Sequence, residues 1–139
     1  MSCILTFSGI TLDINKLVFE SGLKPFNKWN KGEPLYRSKP NGKQKDNSGI
    51  SLETSLSNFD EPAKQIEETI TYLESNRESL LIAAEFRGVD HAYLDFGFNS
   101  RLNFEKVIVQ VDVFPRRLIK ISGILGLSIH VSNYSDIFQ

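Results

Sequence analysis

The chain has 139 residues, of which 40% are hydrophobic and 24% are charged. This length and composition suit one globular domain and argue against wholesale disorder. Its 16 basic and 17 acidic side chains give a net charge of −1, which argues against a general nucleic-acid-binding protein but leaves room for a local basic patch. Cys3 is the single cysteine, and no apolar run approaches the ~18 residues of a membrane-spanning helix. We therefore expect a single domain over residues 1–139, located in the cytoplasm and without a membrane partner.

The first predicted elements are a short strand and a short helix. Residues 3–7 form an apolar run that is typical of a buried strand. Asp13 is a suitable N-cap for a helix over residues 14–21, and Gly22 is placed to end that helix.

A strand, a polar loop and a second strand follow. Residues 26–34 contain the single tryptophan, Trp29, and alternate as in a short strand. Residues 35–47 are the most polar stretch and contain the turn sequence Pro40-Asn41-Gly42. Residues 48–55 alternate apolar and polar positions, which predicts a half-buried strand. Two interpretations of the loop are open: an exposed hairpin connection, or a mobile basic loop that contacts an anion or an acidic partner.

The longest helical pattern covers residues 60–87. Asp60 is the predicted N-cap and Gly88 the predicted stop. Apolar residues recur at three- and four-residue spacings between these ends. A continuous helix of this length would be about 40 Å long, at 1.5 Å per residue, whereas the radius of gyration of such a domain is only ~14 Å. We therefore expect a break near Ser75-Asn76, where both side chains compete for backbone hydrogen bonds.

The C-terminal part predicts two strands, a helix and a last strand. The strands are expected at residues 92–98 and 106–114, and the second has the strongest β pattern in the chain because β-branched valines alternate along it. A short helix after Pro115 ends at Gly126, and residues 127–134 form the last strand. The resulting order is β-α-β-β-α-β-β-α-β. It predicts an α+β fold, with an antiparallel or mixed sheet and helices packed mainly on one face.

The sequence contains no familiar catalytic, metal or nucleotide-binding motif. Its two histidines, His91 and His130, match no zinc spacing, and neither a phosphate-binding loop nor a nucleophile elbow occurs. We therefore predict no catalytic residue, no metal, no cofactor and a protein that is not an enzyme. The rival hypothesis is a small cytosolic enzyme that uses His91, Asp95 or His130 as acid or base.

Two surfaces are predicted to bind a partner. The first surrounds Trp29, because tryptophan flanked by cations is common at binding hot spots. The second is the acidic face of the helix over residues 60–87, which would suit a basic partner. Core packing of Trp29 and plain solvation of the acidic face are the alternatives. The candidate contact residues are Trp29, Lys31, Glu33, Arg37, Lys43, Lys45, Glu67, Glu68, Glu74 and Glu78.

Three stretches together resemble a widespread bacterial domain family of unknown function. They are Gly22-Leu23-Lys24-Pro25, then Trp29-Asn30-Lys31-Gly32-Glu33-Pro34, and then Ser48-Gly49-Ile50-Ser51-Leu52-Glu53-Thr54. The resemblance extends from about residue 3 to residue 134 and includes a two-part helix and the closing strand. The chain departs from the family pattern at Phe26, where threonine is frequent, and at Ile50, where tryptophan is frequent.

The resemblance implies a binding function. Some family members accompany polymorphic or contact-dependent toxins as immunity proteins, which bind the toxin domain and cover its active site or substrate surface. The family has no established activity and no catalytic residues that could be transferred to this chain. The resulting expectation is an immunity protein whose partner is a cognate toxin domain. The alternative is a small cytosolic enzyme, or a module that binds nucleic acid or another ligand.

Overall fold

A computed structural model describes residues 1–103 and 105–135. It contains five strands and four helices in these residues, which confirms the α+β class. In chain order they are β1 (Cys3–Gly9), α1 (Ile14–Ser21), β2 (Asn27–Trp29), β3 (Ser48–Ser55), α2 (Pro62–Ser75), α3 (Arg77–Ala84), β4 (His91–Asn99), α4 (Arg116–Leu125) and β5 (Ser128–Tyr134).

The strands form one mixed sheet with the order β2-β3-β1-β4-β5. The first three neighbouring pairs are antiparallel, and β4 and β5 are parallel because α4 carries the chain back between them. The register places Leu5 of the central strand between Leu52 and Leu94. The N-terminal strand is therefore the centre of the sheet, and its two neighbours come from distant parts of the chain.

The helices pack on one face of this sheet. Alternate side chains of β1, β3 and β4 face the helices, and most of them are apolar and buried in the same core as the inward residues of the helices. The strand residues of this core are Cys3, Leu5, Phe7, Ile50, Leu52, Leu94, Phe96 and Phe98. The intervening positions form the other face, which we call the open face, and they are mostly polar. This arrangement confirms the expected helix layer on mainly one side.

The short helix α1 forms as its terminal residues predict. The side chain of Asp13 accepts a hydrogen bond from the Lys16 backbone N–H at 3.1 Å, which satisfies one of the free donors of the first turn. Gly22 adopts a left-handed φ of 70° and its N–H donates to the Val18 carbonyl oxygen at 2.9 Å. The C-terminal stop therefore depends on a backbone conformation that glycine adopts without steric cost.

The long helical pattern is divided into two helices, as the sequence predicts. Helix α2 ends at Ser75, α3 begins at Arg77, and the Asn76 side chain donates to the Tyr72 carbonyl oxygen at 2.9 Å. Asparagine therefore competes with the backbone at the break.

The predicted ends of this helical stretch were wrong. Helix α2 begins at Pro62, and Asp60 accepts a hydrogen bond from the Asn99 side chain at 2.8 Å instead of capping the helix. Helix α3 ends at Ala84, and residues up to Gly88 form turns that lead into β4. The predicted capping residues therefore connect the helices to β4 and do not end them.

The strand expected at residues 106–114 was also wrong. The segment contains no strand, and its bridge between Val107 and Asn103 is an isolated one. The position beside β4 is taken by β5, and this segment pairs with no strand of the sheet in the described residues. Strand β3 is buried on both sides rather than half-buried, because it lies inside the sheet and its open-face positions carry small residues such as Ser51.

The glycines provide a test of this packing. A Cβ at Gly9 would overlap the Gly88 carbonyl oxygen, whereas a Cβ at Gly123 in α4 meets nothing within 4 Å. We expect Gly9→Ala to lower the free energy of unfolding by at least about 2 kcal/mol, because backbone atoms would have to move. Gly123→Ala should raise it by roughly 0.5–1 kcal/mol through helix propensity. Urea unfolding of both variants measures the difference, and equal effects would contradict the close contact between β1 and the turn before β4.

Candidate binding surface

The connection between β2 and β3 is an exposed hairpin that extends beyond the sheet. The Gly32 N–H donates to the Lys45 carbonyl oxygen at 2.9 Å, and the Lys45 N–H donates to the Glu33 carbonyl oxygen at 2.8 Å. A bridge between Pro34 and Gln44 continues the pairing toward the tip. Backbone pairing therefore positions this connection, which agrees with the expected exposed hairpin.

Trp29 lies on the open face, at the base of the hairpin. Its ring covers Gly49, where a Cβ would overlap the indole. The indole Nε1 donates to Asn47 Oδ1 at 3.0 Å, and Lys45 Nζ lies 5.6 Å from the ring centroid, within cation–π range. Because Gly49 has no side chain, the ring packs on the sheet on one side and presents its other parts to solvent. These contacts therefore fix the position of the Trp29 ring, which presents an aromatic surface next to a cation.

The hairpin carries a local excess of positive charge. Residues 27–47 contain six of the 16 basic residues but only two of the 17 acidic ones. None of these six cations forms an ion pair with a carboxylate of residues 1–103 or 105–135. The predicted contact residues here lie together, and all are exposed apart from the half-buried Trp29 and Lys45: Trp29, Lys31, Glu33, Arg37, Lys43 and Lys45. We call these six residues the hairpin surface.

The predicted acidic face does not form one free surface. Arg117 of α4 lies between Glu67 and Glu74, at 3.2 Å from the first and in hydrogen-bond contact with the second. Glu78 belongs to α3 and is exposed, with no ion pair in the described part of the chain. The acidic residues that the sequence placed on one helix are thus divided by the break and partly neutralised.

Glu68 has a structural role at the end of β3. Its carboxylate accepts hydrogen bonds from the hydroxyls of Ser55 and Ser57 at 2.8 and 2.6 Å, and from the Ser57 N–H at 3.2 Å. These bonds, the Ser57 hydroxyl above all, lower the pKa of Glu68 below its ordinary value. This residue therefore fixes the turn after β3 and is poorly placed to contact a partner.

The open face also brings together polar residues that sequence reasoning did not combine. The ring of Tyr93 stacks on His130 with centroids 4.4 Å apart, and the Ser132 hydroxyl donates to Asp95 at 2.8 Å. Asp95 and His130 are neighbours in the parallel register of β4 and β5. Alternation along each strand indicates which residues of that strand share a face. It does not indicate that β4 and β5 are neighbours, and only the folded structure shows this pairing.

These residues supply only part of a catalytic arrangement. A hydrolytic triad needs a carboxylate that orients a histidine, which in turn contacts a nucleophile. Among the described residues, His130 forms no hydrogen bond with Asp95 or Ser132, and His91 lies exposed at the start of β4. No group of three metal-ligating side chains occurs in the described part of the chain. No helix in those residues is both long and apolar enough to cross a bilayer.

Nothing among the protein families, curated proteins or solved structures matches this chain.

The contacts of Glu68 predict a pH-dependent contribution to stability. Because its pKa is lower in the folded protein, ionised Glu68 stabilises the fold above its ordinary pKa, and this contribution is lost as the pH falls through the folded value. Glu68→Gln should therefore be clearly less stable than the parent at pH 7, and the difference should shrink in acid. Urea unfolding across this range measures it. The control is Glu78→Gln, which removes an exposed carboxylate with no ion pair in the described residues and should have a smaller effect at pH 7.

The packing of Trp29 on Gly49 predicts a coupled pair of substitutions. Gly49→Ala should displace the indole, shift its fluorescence to longer wavelength and cost about 1–3 kcal/mol of unfolding free energy. In Trp29→Ala the same Gly49 substitution should cost less, because the ring is gone. A double-mutant cycle with no coupling energy would contradict the contact.

Proposed function

We propose that this chain is an immunity-type binding protein that neutralises a cognate bacterial toxin domain, and that its hairpin surface makes the main contact. The observation that carries this proposal is a cluster of cations around Trp29, none of which is paired with a carboxylate in the described residues. An interface of this kind combines one rigid aromatic anchor with charges that steer an oppositely charged partner. The resemblance to a family that includes immunity proteins supplies the class of partner.

The hairpin surface has the properties of a binding site rather than of a structural element. Lys31, Arg37 and Lys43 are exposed, so pairing them with a partner breaks no ion pair within the described chain. Trp29 is fixed by Gly49 and Asn47, so little conformational freedom is lost on binding. These features favour a toxin surface that is acidic and offers a shallow apolar site for an aromatic ring.

The glutamates of α2 are less suitable as the main contact. Glu67 and Glu74 already bind Arg117, and Glu68 holds the turn after β3. A basic partner would have to compete with these interactions.

A nucleic-acid-binding module is the second candidate. Tyr36 is exposed on the same hairpin as Trp29 and the six cations, and stacking aromatics beside cations are typical of single-strand binding. The two candidate functions predict different binding partners. Heparin or single-stranded DNA would hold a nucleic-acid-binding module in a strongly salt-dependent way, whereas the toxin domain would be held by an immunity protein.

The proposal is tested with the C-terminal domain of a large secreted protein encoded beside this chain in its native host. We expect co-purification of the two proteins and protection of cells that express the toxin domain. Trp29→Ala should raise the dissociation constant at least about 30-fold, the size of a hot-spot loss. Lys31→Glu with Lys43→Glu should slow association about tenfold at low salt, and less as salt rises.

The matched control makes the same number of substitutions at charged residues of the other surface. Glu67→Gln with Glu74→Gln should alter the dissociation constant by less than about threefold, because these side chains face Arg117. If these variants disrupt binding while the hairpin variants do not, the contact surface is wrong. If no neighbouring toxin domain binds and cells are not protected, the immunity function itself is rejected.

A further inference from the structure

The tip of the hairpin between β2 and β3 carries the one asparagine of the chain that precedes a glycine. Asn41 and Gly42 are both exposed and lie in a turn, outside any strand or helix. Asparagine is a thermally labile residue, because its side-chain amide can react with the backbone nitrogen of the next residue. Glycine has no Cβ to crowd that nitrogen, so the side chain of Asn41 can approach it closely.

The Asn41 side chain also lacks the contacts that hold several other asparagines. Asn47 accepts a hydrogen bond from the Trp29 indole at 3.0 Å, and the Asn76 amide donates to the Tyr72 carbonyl oxygen at 2.9 Å. The Asn41 amide forms no hydrogen bond with residues 1–103 or 105–135. It can therefore turn toward the backbone of Gly42 without breaking a hydrogen bond in the described chain.

The charges of the hairpin favour the form of the backbone that reacts. To attack a carbonyl carbon, the Gly42 nitrogen must lose its proton and carry negative charge. Residues 27–47 contain six cations and two carboxylates, and Lys39 and Lys43 flank the reacting pair in sequence. Nearby positive charge favours the anionic form of a group. The Gly42 N–H donates to the Lys39 carbonyl oxygen at 3.0 Å, so a single hydrogen bond at an exposed turn opens before the attack.

We propose that Asn41 is a site of spontaneous deamidation, which lowers the positive charge of the hairpin. The Gly42 nitrogen forms a bond with Cγ of Asn41, the bond between Cγ and the side-chain nitrogen breaks, and ammonia leaves with the proton that the Gly42 nitrogen lost. Water then hydrolyses the resulting succinimide ring. Hydrolysis at Cγ restores the backbone and gives aspartate, whereas hydrolysis at the backbone carbonyl carbon gives isoaspartate.

Either product adds a negative charge beside the hairpin surface. Isoaspartate also lengthens the backbone by a methylene group close to the pair in which the Leu35 N–H donates to the Lys43 carbonyl oxygen at 2.8 Å. The added carboxylate would oppose the steering of an acidic partner by the cations. This effect on binding rests on the proposed function, whereas the reaction itself needs no partner.

Incubation of the folded chain in mildly alkaline buffer tests the reaction. Asn58 is the comparison within the same sample, because it is also exposed and outside any helix or strand but precedes Phe59. Peptide mass spectrometry should show conversion at Asn41 at least about tenfold faster than at Asn58. Asn41→Gln keeps an amide but would have to form a larger ring, so it should abolish conversion at this position. Conversion at Asn41 that is no faster than at Asn58 overturns the proposal.

A pair of substitutions tests the effect on the hairpin. Asn41→Asp reproduces the aspartate product and should slow association with the toxin domain about two- to threefold at low salt, and less as salt rises. Asn58→Asp adds the same charge beyond the other end of β3 and should leave the association rate unchanged. Equal effects of the two substitutions overturn the effect on binding. If the parent chain binds no toxin domain, the immunity function is rejected, and mass spectrometry still decides whether Asn41 deamidates.

Discussion

The burial of β1 between two antiparallel neighbours is the constraint on which the rest of the structure depends. Leu5 contributes to the core only because Leu52 and Leu94 lie beside it and the helices cover all three. Full burial of such side chains stabilises a fold by roughly 1.5–3 kcal/mol each. The neighbours come from sequence positions about 50 and 90 residues away, so the chain must close large loops before this core forms.

This constraint also determines where binding chemistry can lie. Side chains alternate along each central strand, so every second one faces the helices and the core. The others lie on the open face. Thr6 and Ser51 share a hydrogen bond of 3.1 Å there, so the small polar residues satisfy one another in the centre of the sheet. Larger groups such as Trp29 and Tyr93 lie to either side of them. The open face is consequently a polar surface with aromatic borders.

The sequence predicted the features that depend on neighbours in the chain and missed those that depend on pairing. Asp13 and Gly22 define α1 because capping is a local interaction. Residues 106–114 show the opposite case: alternating valines indicate that a strand can form, but not which strand takes the place beside β4. The candidate site follows the same division. The basic hairpin was visible as a local charge excess, whereas the neutralisation of Glu67 by Arg117 depends on the packing of α2 against α4.

The hairpin surface lies at one edge of the sheet, and this position has a consequence for binding. Five strands spaced about 4.8 Å apart place roughly 19 Å between β2 and β5. A partner that contacts the hairpin surface alone therefore leaves the stacked rings of Tyr93 and His130, at the β5 side of the sheet, uncovered. Because the cations would steer such a partner while Trp29 would anchor it by apolar contact, salt should weaken the contribution of Lys31 and Lys43 more than that of Trp29.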